Sequence, residues 1–429
     1  MFIVSLSAVV KSMGFIVSDR YWRSVGSVLT GTVLAQVIPV IGSLVLARLY
    51  VPADFGIFSA WLGIVLILGV VLTGRFETAL AIEFDGEPRR LAVLSTLATA
   101  GLVACAVAIL CGVSVQLIPG IIGDQTPVMV IFLIPAALAV AMAQTWQSWA
   151  AAEGRYRQLS MMRIAQAGAI TLIQIIVGVF HAAADALAIS YLLGQIIGLV
   201  ASLYLMPLGV LPGRQVLAII QDFWRRHRRF PLYSLPAGVI STAAAQLPVL
   251  IVASRFGADI AGLLAMSMRI LGAPIGLLGK SVLDVFKRHA AASFRQRGEC
   301  RSDYLRTFKV LALSSCVFCM IMIIISEPFF ALAFGETWRD AGKISIWLLP
   351  LFALRFIASP LSYMAYIAGK QHIDLIWQVF LFAMTLASLN ISQNYVYALQ
   401  AYSAGYSLLY AVYLVMSYRF SLGRISGIK

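Results

Sequence analysis

The fold is decided by residues 31–80, GTVLAQVIPVIGSLVLARLY (31–50), VPADFGIFSAW (51–61) and LGIVLILGVVLTGRFETAL (62–80). Two apolar arms flank a short polar turn, a pattern that predicts a transmembrane hairpin of two helices. Polar residues and a proline interrupt both arms and the turn, where a purely structural span would avoid them: Gln36, Pro39, Arg48, Asp54, Arg75 and Glu77.

The same plan returns in the second half of the chain. Residues 241–264 read STAAAQLPVLIVASRFGADIAGLL, and the arm that follows carries Arg269, Lys280 and Asp284. The repeated landmarks are Gln246, Pro248, Arg255, Asp259 and Gly262. Two related halves, each opening with a proline-interrupted hairpin, are typical of transporters built from repeats.

The composition excludes a soluble globular domain. Of the 429 residues, 61% are hydrophobic and 12% are charged, and apolar runs of about 20 residues recur throughout the chain. The runs lack the alternation of a barrel strand, so we expect an all-α polytopic membrane protein. We predict about 12 transmembrane helices in two pseudo-symmetric six-helix lobes around a central cavity.

The predicted spans and domains follow from these apolar runs. The spans are 24–47, 57–80, 91–118, 127–150, 159–180, 187–208, 235–254, 261–284, 309–334, 343–368, 373–391 and 396–418. The domains are an interfacial segment (1–22), a first lobe (23–208), a cytoplasmic linker (209–234), a second lobe (235–418) and a cytoplasmic tail (419–429). An uncleaved extra span or a mis-assigned start is the alternative for the first segment.

The basic residues indicate orientation and not a nucleic-acid partner. Lysine and arginine number 32 against 18 acidic residues, and 23 of them lie in loops on one side of the predicted spans against four on the other. By the positive-inside rule both termini are cytoplasmic. We expect the basic run WRRHRRF (224–230) and the segment 287–306 to lie on the cytoplasmic face, where anionic lipid headgroups are their partners.

Five basic residues remain inside predicted spans: Arg75, Arg163, Arg269, Lys280 and Arg355. A charge there costs about 2.5–3.5 kcal/mol, so each needs a partner, water or a function. Arg269 and Arg355 lie nearest mid-span and are predicted to line a water-filled, electropositive cavity. Arg163 lies near a span end, where snorkelling to the interface is the alternative.

The other two cations have acidic neighbours. Lys280 and Asp284 form an i,i+4 pair that neutralises itself on one helix face. Arg75 and Glu77, two apart on a continuous helix, cannot share a face, so one of them needs a partner elsewhere. Glu77, Asp284 and Glu327 are the membrane-level acids able to bind a coupling cation or pair with a basic residue.

A cationic cavity suits a phosphate or diphosphate, whose geometry matches the arginine fork. Scattered amides are candidates either for sugar hydroxyls or for helix packing: Gln36, Gln144, Gln147, Gln166, Gln174, Gln195 and Gln246. Trp146, Trp149, Tyr363 and Tyr366 either stack on sugar rings or form the interfacial aromatic belt. No motif indicates catalysis, a metal or a cofactor, and the CxxC at Cys316 and Cys319 lies in an apolar run that predicts packing.

The text LARLYVPADFGIFSAW (46–61) with LTGRFETALAI (72–82) resembles the signature of the Wzx-type polysaccharide biosynthesis flippases of the MOP superfamily. The resemblance implies a bacterial inner-membrane protein that moves an undecaprenyl-diphosphate-linked oligosaccharide by alternating access of two lobes around a cationic cavity. Arg48 and Arg75 lie within the signature. Polysaccharide polymerase and chain-length proteins are further partners that this function would suggest.

Two other classes stay open. A multidrug exporter of the same superfamily would carry cations, which prefer acidic cavities, and the excess of basic residues argues against it. A membrane polysaccharide polymerase or ligase would need large periplasmic loops with catalytic Arg or His, whereas the loops predicted on that side are short.

Overall fold

The structure, a computed structural model, describes residues 19–117, 127–209 and 216–423, and side chains from residue 33 onward with a few gaps. The predicted interfacial segment 1–22 lies almost wholly outside the described residues, as does the end of the predicted tail. The helix α1 begins at Asp19, so the last residues of that segment belong to the first span.

The described chain is helical throughout and contains no strand. Its helices are α1 (Asp19–Leu49), α2 (Pro52–Thr73), α3 (Glu87–Leu117), α4 (Pro127–Ala152), α5 (Tyr156–Phe180), α6 (Ala184–Leu205), α7 (Val216–Arg226), α8 (Leu235–Phe256), α9 (Ala258–Arg297), α10 (Arg301–Phe334), α11 (Arg339–Leu361), α12 (Met364–Ile367), α13 (Gln371–Asn390) and α14 (Tyr395–Ser421). Short 3₁₀ turns at Phe76–Ala81 and Glu336–Trp338 and a π turn at Phe230–Ser234 join them.

Each predicted span falls mainly on one long helix, and the span 343–368 also includes the short helix α12. Of the described helices, only α7 lies outside the predicted spans. Nine described segments are long and apolar enough to cross a membrane, and two shorter apolar helices, Val33–Leu49 and Ile376–Asn390, add to them. The helix α14 is long enough, but its many tyrosines and serines lower its hydropathy. The all-α polytopic membrane fold is therefore confirmed.

The second arm of the first hairpin is shorter than predicted. The helix α2 ends at Thr73, and Gly74 and Arg75 both take left-handed backbone conformations with φ of 58° and 62°. A 3₁₀ turn follows in place of the helix predicted to residue 80. Arg75 Nη1 therefore lies 3.4 Å from Glu77 Oε1. The prediction that the pair cannot meet was wrong, because it assumed a continuous helix.

The second hairpin has a longer second arm than predicted. The helix α9 runs for 40 residues, without interruption, to Arg297 and ends at Gly298 with φ of 74°. The basic segment 287–306, predicted to lie on the cytoplasmic face, is thus largely the continuation of a spanning helix. At ~1.5 Å per residue, α9 extends well beyond the ~30 Å of hydrocarbon.

The two lobes meet at the end of the bundle where the hairpins turn, called here the hairpin end. The indole Nε1 of Trp338, in the second lobe, donates a hydrogen bond to the carbonyl of Ala47 in the first, at 2.8 Å. The Trp338 ring also packs edge-on against Phe55, with 5.2 Å between centroids. Trp338 is fully buried, so this contact excludes solvent where the lobes join.

The linker helix α7 packs on the first lobe. Its Phe223 is buried against Phe76, and Trp224 donates to the Thr99 hydroxyl at 2.8 Å. The buried Glu83 carboxylate pairs with Arg226 at 3.1 Å and His227 at 2.6 Å. Two members of the basic run predicted to meet lipid headgroups therefore pair within the protein. The other three arginines of the run, Arg225, Arg228 and Arg229, are exposed.

Candidate functional site: a cavity between the lobes

A cavity of about 710 Å³ lies between the two lobes. It is lined by α1, α2, α4, α5 and α6 of the first lobe and by α8 and α9 of the second. Its polar lining residues are Gln36, Ser59, Gln147, Arg163, Gln166, Thr171, Gln174, Tyr191, Gln246 and Arg269. No carboxylate is among the described residues of this lining, so two arginines give the cavity its charge.

Arg269 projects from α9 and is half-buried between the lobes. Its Nη2 donates to the carbonyl oxygen of Pro39 in α1 at 2.6 Å. A guanidinium has five N–H donors, and only this one has a hydrogen-bond partner among the described residues. The carbonyl fixes the side chain against the cavity wall and leaves donors for an anionic ligand.

Arg163 is held by a chain of amides on the first-lobe wall. Its Nε donates to Gln147 at 3.2 Å, and the Gln147 amide donates to Gln166 at 2.7 Å. The Gln166 amide donates in turn to Gln195 at 2.5 Å. The Gln195 amide then donates to the Tyr191 hydroxyl at 2.8 Å. Each amide accepts from one neighbour and donates to the next, so the relay fixes every amide orientation between α4, α5 and α6.

Gln36 and Gln246 hold corresponding places in the two repeated hairpins. Gln36 lines the cavity from α1 and Gln246 from α8, each two or three residues before a proline inside its helix. Neither side-chain amide makes a hydrogen bond to a described residue. Both can therefore donate to, or accept from, a ligand in the cavity.

A second cavity, of about 370 Å³, lies inside the second lobe. Arg355 of α11 and Asp374 of α13 both line it, together with a face of tyrosines on α14. Ala245 and Met268 line both cavities and so form the partition between them. The two arginines expected at mid-span thus lie on adjacent cavities instead of one.

The remaining predicted site residues lie elsewhere. The Arg48 guanidinium donates to the carbonyl of Leu332 at the hairpin end, and Arg75 pairs with the buried Glu77. Glu327 lies on α10, where Gly342 packs against its backbone. None of these four lines either cavity. The side chains of Lys280 and Asp284 lie outside the described residues.

Several of these cavity residues contribute more to the site than the sequence pattern indicates. Arg163 was open to snorkelling, but it lines the central cavity, and five of the seven proposed amides line it as well. The tyrosine face of α14 was missed, although its spacing of four, four and three residues was a readable signal: Tyr402, Tyr406, Tyr410 and Tyr413. Of the aromatics proposed for sugar stacking, Trp146 and Trp149 are buried in the first lobe, whereas Tyr366 lines the second cavity.

The described residues contain no group of three or more His, Cys, Asp or Glu side chains placed to hold a metal ion. All five cysteines are free. Cys316 and Cys319 lie on α10, where Cys316 is exposed and Cys319 is half-buried, so the buried packing predicted for the pair is not seen at Cys316.

The fold is that of the MOP-superfamily transporters. The chain is similar to the lipid II flippase MurJ in an inward closed conformation, with a TM-score of 0.70 and 13% identity over 91% of this chain and 87% of that one. It is also similar to an inward-facing multidrug resistance MATE family transporter, with a TM-score of 0.58 and 14% identity over 92% and 93% of the chains. A MOP superfamily transporter from Pyrococcus furiosus matches with a TM-score of 0.52 and 13% identity over 93% and 94%.

The family is defined by sequence. The profile of the polysaccharide biosynthesis protein family matches residues 45–343, which include the first hairpin's turn, the linker helix and the whole of α9 and α10. The chain therefore belongs to the polysaccharide biosynthesis protein family and is a multi-pass membrane protein with a transporter fold. No curated protein matches it significantly.

Proposed function

We propose that this protein is a flippase that translocates undecaprenyl-diphosphate-linked oligosaccharide repeat units across the bacterial inner membrane for O-antigen, capsule or exopolysaccharide assembly. The observation that carries the proposal is the central cavity, with Arg163 and Arg269 and without a carboxylate in its described lining. A diphosphate brings negative charge and several acceptor oxygens, which two guanidinium groups can bind together.

The amides supply the second half of the argument. Gln36 and Gln246 face the cavity from opposite lobes and lack hydrogen-bond partners among the described residues. Amides that both donate and accept suit the linkage between a diphosphate and a sugar. A ligand that contacts both would join the two lobes, as alternating access requires.

The rival functions are less well supported. A cation exporter would need acidic groups on the cavity wall, and the described lining contains none. The fold is also that of a lipid II flippase in an inward closed conformation, and this similarity favours a lipid-linked substrate over a drug cation. A polymerase or ligase would need large periplasmic loops with catalytic Arg or His. The described connections at the hairpin end between α5 and α6, α8 and α9, and α13 and α14 are only a few residues long.

Sidedness, coupling and further partners complete the proposal. The positive-inside rule places both termini in the cytoplasm and the hairpin end toward the periplasm. Glu77 is paired with Arg75, so it is less suited to a coupling cation than Asp284 or Glu327. The exposed arginines Arg225, Arg228 and Arg229 suit anionic lipid headgroups, and polysaccharide polymerase and chain-length proteins would receive the product.

A genetic complementation experiment tests the function. The host gene is deleted and replaced by wild type, Arg163→Gln, Arg269→Gln or the control Lys370→Gln, which removes an exposed charge. We expect the two cavity variants to insert at wild-type levels but to lose surface polysaccharide and accumulate the lipid-linked unit, while the control keeps full surface polysaccharide. Full surface polysaccharide in both cavity variants would contradict the proposal that the cavity arginines bind the substrate during translocation.

A further inference from the structure

We propose that the second cavity is a glycan subsite, in which a sugar ring attached to the diphosphate binds among the tyrosines of α14, and that Met268 separates it from the diphosphate subsite. The inference rests on the proposed function, because it assigns the two adjacent cavities to two parts of one ligand.

Two opposite charges share this cavity without pairing. Arg355 makes no hydrogen bond or ion pair with a described residue, and its guanidinium lies 5.9 Å from the centroid of Phe352. Asp374 is buried and accepts hydrogen bonds from the Tyr413 hydroxyl at 2.7 Å and the Gln378 amide at 2.9 Å. The cavity therefore offers the N–H donors of the Arg355 guanidinium on one wall and the Asp374 carboxylate, held in place by its two hydrogen bonds, on another.

The aromatic lining supplies apolar faces next to these polar groups. Trp377 packs 4.5 Å from Tyr413 and 5.2 Å from Tyr410, and Tyr402 lies 4.7 Å from Tyr406, measured between ring centroids. A pyranose has C–H faces and a rim of hydroxyl groups. Aromatic faces with donors and acceptors between them complement both surfaces of such a ring.

The position of the partition joins this subsite to the diphosphate subsite. Met268 lies one residue before Arg269 on α9, and its side chain lines both cavities. Methionine is unbranched and adaptable, so its side chain can move aside for a ligand that crosses from one cavity to the other. A diphosphate held at Arg269 would place the first sugar beside Met268.

The size of the cavity limits the ligand. At about 370 Å³ it lies near the lower end of the range of small-molecule pockets, roughly 300–1,000 Å³. The subsite therefore accommodates the sugar nearest the diphosphate and not a long repeat unit.

The test compares two lipids on the full-length protein in nanodiscs. One is the lipid-linked repeat unit isolated from a host strain lacking this protein, and the other is undecaprenyl diphosphate without sugar. We expect the glycan-bearing lipid to bind wild type about tenfold more tightly, the increment of a few well-placed hydrogen bonds. Arg355→Gln and Asp374→Asn should reduce this ratio to near one without changing the affinity for undecaprenyl diphosphate. Met268→Trp, at a residue that lines both cavities, should also lower the ratio.

Control variants separate the possible outcomes. Arg269→Gln should weaken both lipids equally, and Lys370→Gln should change neither. If neither the glycan-bearing lipid nor undecaprenyl diphosphate binds to wild type, the proposed function fails. If both lipids bind in an Arg269-dependent way but the affinity ratio survives all three subsite substitutions, only the glycan subsite is overturned. Sodium-dependent thermal stabilisation that is lost in Asp374→Asn, with an unchanged ratio, would overturn it in favour of a cation site.

Discussion

Gly56 of α2 and Gly262 of α9 lie against each other where the two lobes cross at the hairpin end. A Cβ atom on Gly56 would overlap the carbonyl oxygen of Ala258 and lie 2.8 Å from the amide nitrogen of Gly262. A Cβ atom on Gly262 would overlap the Pro52 carbonyl oxygen in the same way. Each glycine lies four residues after the first residue of its helix, so the contact joins corresponding positions of the two repeated hairpins.

Substitution of either glycine by alanine should open the hairpin end. The clash is with backbone, which cannot rotate away, so the two helices must separate. The measurement is the distance between spin labels at Val51→Cys and Asp340→Cys, both exposed, in a protein without its native cysteines. We expect Gly56→Ala and Gly262→Ala to shift the distance distribution to longer values.

Gly101→Ala is the matched control, because a Cβ atom there would meet nothing within 4 Å. The control should leave the distance distribution unchanged. Distributions identical to wild type in both interface variants would show that the crossing does not close this end.

The Arg75–Glu77 pair predicts an asymmetric response to mutation. Glu77 is buried, and its Oε2 has no hydrogen-bond partner among the described residues. Arg75→Met leaves this carboxylate unpaired, so we expect a lower thermal unfolding temperature. The free energy of unfolding should fall by less than the value of about 3–5 kcal/mol that is typical of breaking a fully buried pair. The reason is that a third of the Arg75 side chain is exposed.

The double variant Arg75→Met with Glu77→Gln should recover part of that loss, because the buried charge is gone. Arg339→Met serves as the control, since its partner Glu336 is 72% exposed and surface pairs contribute little. Equal destabilisation by the single and double variants would contradict the account.

The Glu83 carboxylate is expected to hold the linker helix α7 on the first lobe. Glu83→Gln removes the charge that pairs with Arg226 and His227 but keeps the size of the side chain. We expect faster hydrogen exchange across Val216–Arg226 than in wild type. Glu87→Gln, a nearby exposed substitution, should leave exchange in α7 unchanged. Unchanged exchange in Glu83→Gln as well would assign the docking of α7 to its apolar face alone.

Much of the fold follows from the sequence, because membrane helices satisfy their own backbone hydrogen bonds and can be identified from long apolar runs. Every predicted span therefore corresponds to a helix. The helix ends were less predictable: α2 ends early because Gly74 and Arg75 take left-handed conformations, which an apolar run does not reveal. The end of α9 was predicted too early, at residue 284. Its polar turns beyond that point remain helical outside the hydrocarbon, where an apolar run no longer marks the helix.

The candidate site was only partly predictable, because lining a cavity depends on how helices pack. Their position near mid-span predicted that Arg269 and Arg355 line a cavity. It could not show that they line two different cavities, separated by Met268 and Ala245. Arg163 was undervalued because its amide partners come from neighbouring helices. Arg48 matches the resemblance signature, yet it contacts Leu332 at the hairpin end.

Direct translocation of the substrate tests the central claim most sharply. Purified protein is reconstituted in liposomes with the lipid-linked repeat unit, tagged on its sugar with a fluorophore that membrane-impermeant dithionite destroys. We expect wild type and Lys370→Gln to expose inner-leaflet label to dithionite, and Arg163→Gln and Arg269→Gln to leave it protected, as in protein-free liposomes. Protection of the inner-leaflet label in wild-type proteoliposomes would contradict the account.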